Sequence, residues 1–103
     1  MKNKFGLLDA DIDNIIQVLS KYNKVESALI FGSRAKGNYK NGSDVDIALN
    51  GIEIDFDTLA KISYLLNEES AMPYKFDVLN YSSIKEPALT EHIDRVGVEI
   101  YRK

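Results

Sequence analysis

The segment Asp44-Val45-Asp46-Ile47-Ala48-Leu49 alternates strictly between polar or small and large apolar residues, and this pattern constrains the chain more than any other. A period of two is the side-chain period of a β-strand. Val45, Ile47 and Leu49 therefore face one way, and Asp44, Asp46 and Ala48 the other. Aspartate is disfavoured in strands, yet here two carboxylates share a face, about 7 Å apart at their Cα atoms. Keeping both ionised and half-buried is costly unless a cation lies between them. Oxygen ligands on a rigid strand suit a hard divalent ion, and Mg²⁺ is the natural candidate. The plainer alternative is that Asp44 completes a Gly-Ser-Asp turn and Asp46 lies exposed at a sheet edge. Taken alone, the pair leaves both readings open.

The surrounding patterns predict a mixed sheet. Ile12, Ile15, Ile16 and Leu19 follow the spacing of one helix face, which predicts a helix over Asp9 to Tyr22, with Asp9 and Asp11 at its start and Lys21 and Lys24 near its end. Val25 to Phe31 reads as a buried strand stopped by Gly32-Ser33, and Ser33 is placed to cap a brief helix from Arg34 to about Gly37. The turn formers Asn38 to Ser43 predict a loop. A second long helix is predicted over Asp57 to Glu69, with Leu59, Ile62 and Leu66 inward, and a strand over Tyr74 to Leu79. Pro87 to Val96 reads as a helix closed by Gly97, and Val98 to Tyr101 as a last strand. The order α-β-α-β-α-β-α-β predicts an α/β (α+β) fold, with about four strands and about four helices in one unit spanning residues 1–103.

Composition narrows the function. A formal charge of −3 argues against a protein whose main business is gripping nucleic-acid backbone. Zero cysteines exclude disulfides, zinc–thiolate sites and thiol nucleophiles. No apolar run approaches the roughly 20 residues of a membrane span, and no signal-peptide core opens the chain, so a cytoplasmic location is expected.

Two further features join the Asp-x-Asp pair. Gly32 lets the backbone approach a ligand closely or adopt positive φ, and Ser33 opens a helix whose free N–H groups suit an anion. Arg34 and Lys36 add positive charge beside it. An isolated Gly-Ser corner would more simply be a capped turn. Asp77 lies between Phe76 and Val78 in an otherwise apolar strand, where an unpartnered charge is expensive, unless backbone amides or Lys75 satisfy it. A phosphate cradle and metal-binding carboxylates at the ends of neighbouring strands are the two halves of a metal–nucleotide site.

The run FGSRAKGNYKNGSDVDIAL, Phe31 to Leu49, resembles the signature of the minimal nucleotidyltransferases (MNT) of the DNA polymerase β-like superfamily: Gly-Ser, a ten-residue spacer, then Asp-x-Asp. The segment YKFDVLNYSSI, Tyr74 to Ile84, resembles that family's third-carboxylate strand. The resemblance implies the nucleotidyltransferase fold, with Gly32, Ser33 and Arg34 at the nucleotide triphosphate. It also implies that Asp44, Asp46 and Asp77 are the catalytic acids, holding two Mg²⁺ ions. It further implies transfer of AMP from ATP. Free-standing proteins of this type are paired with a HEPN-domain toxin, whose tyrosine they modify as its antitoxin. A hetero-oligomer with such a partner is therefore expected, with no direct nucleic-acid or membrane partner.

Two other classes compete. The chain has no segment to spare for an acceptor-binding domain, so it could neutralise a partner by binding alone. A small-molecule nucleotidyltransferase would use the same acids but needs a pocket for its acceptor. His92, the only histidine, reads as a surface or half-buried helix residue, and Tyr39 either stacks on a base or lies partly exposed in its loop.

Overall fold

The computed structural model describes residues 2–103. Its elements are α1 (Asp9–Ser20), β1 (Ser27–Phe31), α2 (Gly32–Lys36), β2 (Val45–Asn50), α3 (Phe56–Tyr64), β3 (Phe76–Asn80), α4 (Pro87–Val96) and β4 (Val98–Arg102). The strands form one sheet in the order β3-β2-β1-β4; β1 runs antiparallel to both neighbours, and β2 and β3 are parallel. The expected mixed four-stranded sheet with four helices is the fold observed.

Val45, Ile47 and Leu49 are all fully buried, as their alternation requires, and they pack with Ala28 and Ile30 of β1 and Phe76 and Val78 of β3. Ile15 and Leu19 of α1, Ile62 of α3 and Leu66 cover this face of the sheet. Each such side chain contributes about 1.5–3 kcal/mol by leaving water. The opposite face is covered more thinly. There Phe31, Ala48 and Ile93 of α4 form a second buried cluster, with Leu29, Leu79 and Leu89 packed against it.

Two helices end earlier than their periodicity predicts. α1 stops at Ser20, so Lys21 caps it and no basic residue occupies its last turn. Its start behaves as expected of an acidic first turn, since the Leu8 N–H donates to Asp11 Oδ2 at 2.9 Å. The second long helix is α-helical only to Tyr64; Leu65–Glu69 widens into a π-helical turn. In that turn the Asn67 side chain reaches β3. Its Nδ2 donates to the Phe76 carbonyl (2.9 Å) and its Oδ1 accepts from the Phe76 N–H (2.7 Å). A side-chain amide thus stands in for a neighbouring strand at this edge of the sheet.

The topology determines where functional groups meet. Because β1 is antiparallel to β2 and β2 is parallel to β3, the end of β1 lies beside the start of β2, with the start of β3 one strand further on. In register, Phe31 pairs with Asp46 and Asp46 with Asp77. Among the described residues, no helix is long and apolar enough to cross a membrane.

Candidate active site

The corner after β1 is built around Gly32. Its φ of +71° lies in the left-handed region that favours glycine, and a Cβ there would collide with Oδ2 of Asp46. The Asp46 carboxylate therefore rests against the backbone of the Gly-Ser corner, in space that any other residue would fill. Asp46 is half-buried, and its carboxyl is raised from 3.8 to about 6. Burial is the main cause, followed by repulsion from Asp77 and then Asp44; the Arg34 guanidinium acts the other way. Three carboxylates thus share one electrostatic neighbourhood at one end of the sheet.

Asp46 is half-buried on β2 as expected, but the other two acids differ in environment from their predicted setting. Asp77 is exposed, whereas its apolar neighbours predict a buried charge. The reason is the pleat: Phe76 and Val78 point into the core and Asp77 to the other face, which α4 does not cover at that point. The cost of burial therefore gives no account of Asp77; its register beside Asp46 does. Asp44 is also exposed and immediately precedes β2 instead of lying within it.

Ser33 is not a helix cap. Phe31, in extended conformation, is the residue flanking α2, and the helix begins at Gly32, so Ser33 is its second residue. The backbone N–H groups of Gly32 and Ser33 thus belong to the first turn, where no intrahelical acceptor exists for them. Arg34 departs furthest from its predicted place at the triphosphate. It is 2% exposed and its guanidinium donates to backbone carbonyls of Phe5, Gly6 and Ser43. Enclosed in this way, the guanidinium reaches Asp46 through its field. Lys36 and Lys40 remain exposed.

Tyr39 is half-buried, with its ring 5.3 Å from the Arg34 guanidinium. It packs beneath the N-terminal segment, where a Cβ on Gly6 would collide with it. His92 is half-buried on α4 and meets Phe31 edge-on at 6.2 Å, as a packing residue does.

The acids suit a hard cation in their donor chemistry. Their donor atoms are all carboxylate oxygens, and the carboxylate at the centre is held above its usual range by burial and then by its acidic neighbours, seated in the space that the missing Cβ of Gly32 leaves. They do not form a closed cage. Among the described residues, no three His, Cys, Asp or Glu side chains are gathered closely enough to hold a metal ion.

Further along the same face lies a groove of about 690 Å³. Ile54, Phe56, Leu59, Leu79, Ile84 and Leu89 supply its apolar walls. Leu79 is two residues past Asp77 on β3, which puts both on one side of the strand.

Residues 13–103 match the family model described as "Polymerase beta, Nucleotidyltransferase". No curated protein matches the chain. Among solved structures, a toxin–antitoxin crystallised with AMP-PNP is similar at 22% identity and a TM-score of 0.76, covering 93% of this chain and 75% of that one. A tri-AMPylated Shewanella oneidensis HEPN toxin in complex with MNT antitoxin gives 20% identity and a TM-score of 0.69, over 91% of this chain and 71% of that one. A putative nucleotidyltransferase from Sulfolobus solfataricus gives 23% identity and a TM-score of 0.56, over 91% and 79%.

Proposed function

The chain belongs to the polymerase β nucleotidyltransferase family, and from that membership we propose that it transfers AMP from ATP to a hydroxyl of a partner protein. The partner in this reading is a HEPN-domain toxin and the acceptor a tyrosine, with this chain as the antitoxin. One observation carries the proposal: the register that sets the Gly32 corner, Asp46 and Asp77 side by side across three strands. Two relatives support it, one crystallised with AMP-PNP and one whose HEPN toxin is described as tri-AMPylated.

In this mechanism the first-turn N–H groups of Gly32 and Ser33 hold the triphosphate by hydrogen bonds. Asp46, half-buried against that corner, and Asp44 and Asp77, exposed on either side, would hold divalent cations. When bound, Mg²⁺ would supply positive charge for the phosphates and acidify the acceptor hydroxyl. Asp77 lies at the outer strand, open to an incoming partner, and orients the acceptor by accepting its hydrogen bond. The acceptor hydroxyl releases its proton to water, its oxygen forms a bond to the α-phosphorus, the bond from that phosphorus to the β-phosphate oxygen breaks, and pyrophosphate leaves. The apolar walls of the neighbouring groove suit the side chains of a protein better than a polyhydroxylated small molecule.

The test uses ATP labelled at its α-phosphate, Mg²⁺ and the purified HEPN partner. Wild type should label the partner, and Asp46→Asn should reduce the rate at least ~10³-fold, roughly 4 kcal/mol of barrier. Absence of label with wild type would overturn the proposal. A second reading, neutralisation by binding alone, is favoured by the open arrangement of the acids. It requires that Asp44→Ala with Asp46→Ala still neutralise the partner in cells.

A further inference from the structure

Arg34 is buried, yet no ion pair among the described residues includes it. A guanidinium enclosed without a carboxylate is costly to keep, and what it holds instead is specific. Its Nη1 donates to the Phe5 carbonyl (2.9 Å) and the Gly6 carbonyl (3.4 Å). Its Nε and Nη2 both donate to the Ser43 carbonyl, at 3.2 and 3.0 Å. The rings of Tyr39 and Tyr74 lie 5.3 and 5.1 Å from the guanidinium carbon. The Tyr74 hydroxyl donates in turn to Asp11 Oδ2 (2.9 Å), the oxygen that also accepts from the Leu8 N–H.

The hydrogen bonds of this one side chain join three stretches of chain. The first is the N-terminal segment ahead of α1. The second is α2, whose first two residues are the Gly32-Ser33 corner. The third is the end of the Asn38–Ser43 loop, where Ser43 immediately precedes Asp44. We propose that Arg34 is a positioning residue: its buried guanidinium fastens the N-terminal segment and Ser43 to α2, and so fixes Asp44 against the Gly32-Ser33 corner. The inference rests on the reading of Asp44 as a cation ligand.

Only arginine has the planar fork to grip carbonyls on two sides while its faces stack on rings. Lysine retains the charge but is a point donor, so Arg34→Lys should preserve the fold and release the loop. Two measurements test this. Amide exchange across residues 40–44 should quicken at least 10-fold in Arg34→Lys. The Mg²⁺ concentration for half-maximal thermal stabilisation should rise at least 5-fold, while the KM for ATP at saturating Mg²⁺ changes less than 2-fold. Tyr39→Leu, which removes one stacking ring, should give a smaller shift of the same kind should Arg34→Lys fail to fold. Ile15→Val, a core variant of reduced stability, should leave the Mg²⁺ midpoint where it is. Unchanged loop exchange in a folded Arg34→Lys, or an equal midpoint shift in Ile15→Val, would overturn the proposal. If wild type neither responds to Mg²⁺ nor transfers AMP, the proposed function fails, and loop exchange in folded Arg34→Lys still decides whether Arg34 holds Ser43.

Discussion

The two faces of the sheet carry different duties. On one, Val45, Ile47 and Leu49 are sealed under α1 and α3; on the other, Asp46 and Ala48 of the same strand look toward α4. α4 covers Ala48 through Ile93 but leaves Asp46 half-buried and Asp77 open. A single strand therefore supplies core and site from alternate residues, and the uncovered corner is where the charged groups gather. One face should tolerate little volume change without unfolding. The other should tolerate changes that abolish activity and leave the fold intact.

That contrast can be broken most sharply at neighbouring positions of β2. Ile47→Ala should cost about 2–5 kcal/mol in denaturant unfolding, a large part of the stability of a domain this size. Asp46→Asn should leave the fold intact while removing transfer. Loss of folding in Asp46→Asn would show the acids to be structural. Gly32→Ala should follow, combining strain of about 1–3 kcal/mol at positive φ with displacement of the Asp46 carboxylate. Its rate should fall ~10²-fold or more, and a Gly32→Ala enzyme of full activity would refute the close fit at that corner.

The smallest effect is a pH dependence. With the Asp46 carboxyl raised to about 6 in the fold, the native state holds more protons than the unfolded chain between its ordinary 3.8 and that value. Stability contributed by this group is therefore lost as pH rises through that window. In chelator, Asp46→Asn should gain on wild type across pH 4–6.5, by about 1 kcal/mol once solvent screening is allowed for. A difference of the opposite sign would contradict the crowding of the acids.

Much of this organisation was legible in the residue pattern, and the exceptions share a cause. The strict alternation of Asp44 to Leu49 predicts β2 and its two faces, because period two has one geometric meaning. Pro87 and Gly97 predict the bounds of α4 equally well. The environment of Asp77 was not legible, since whether a strand residue is covered depends on where α4 ends its cover, not on the flanking Phe76 and Val78. The burial of Arg34 is hidden from the local sequence for the same kind of reason. Its partners Phe5, Gly6, Tyr39, Ser43 and Tyr74 are scattered along the chain, and nothing local distinguishes a buried guanidinium from a phosphate-binding one. Asn67 gave no signal either, because an amide that satisfies a strand edge looks like any helix-surface asparagine.

The most direct test of the crowded corner is its response to cation. Melting temperature should be followed at pH 7.5 during Mg²⁺ titration with a non-hydrolysable ATP analogue, for wild type and Asp46→Asn. Neutralising the repelled carboxylate should raise the wild-type melting temperature by several degrees, whereas Asp46→Asn should start higher and barely move. A wild type indifferent to Mg²⁺ and nucleotide, or a variant that responds equally, would contradict a cation site built on Asp46.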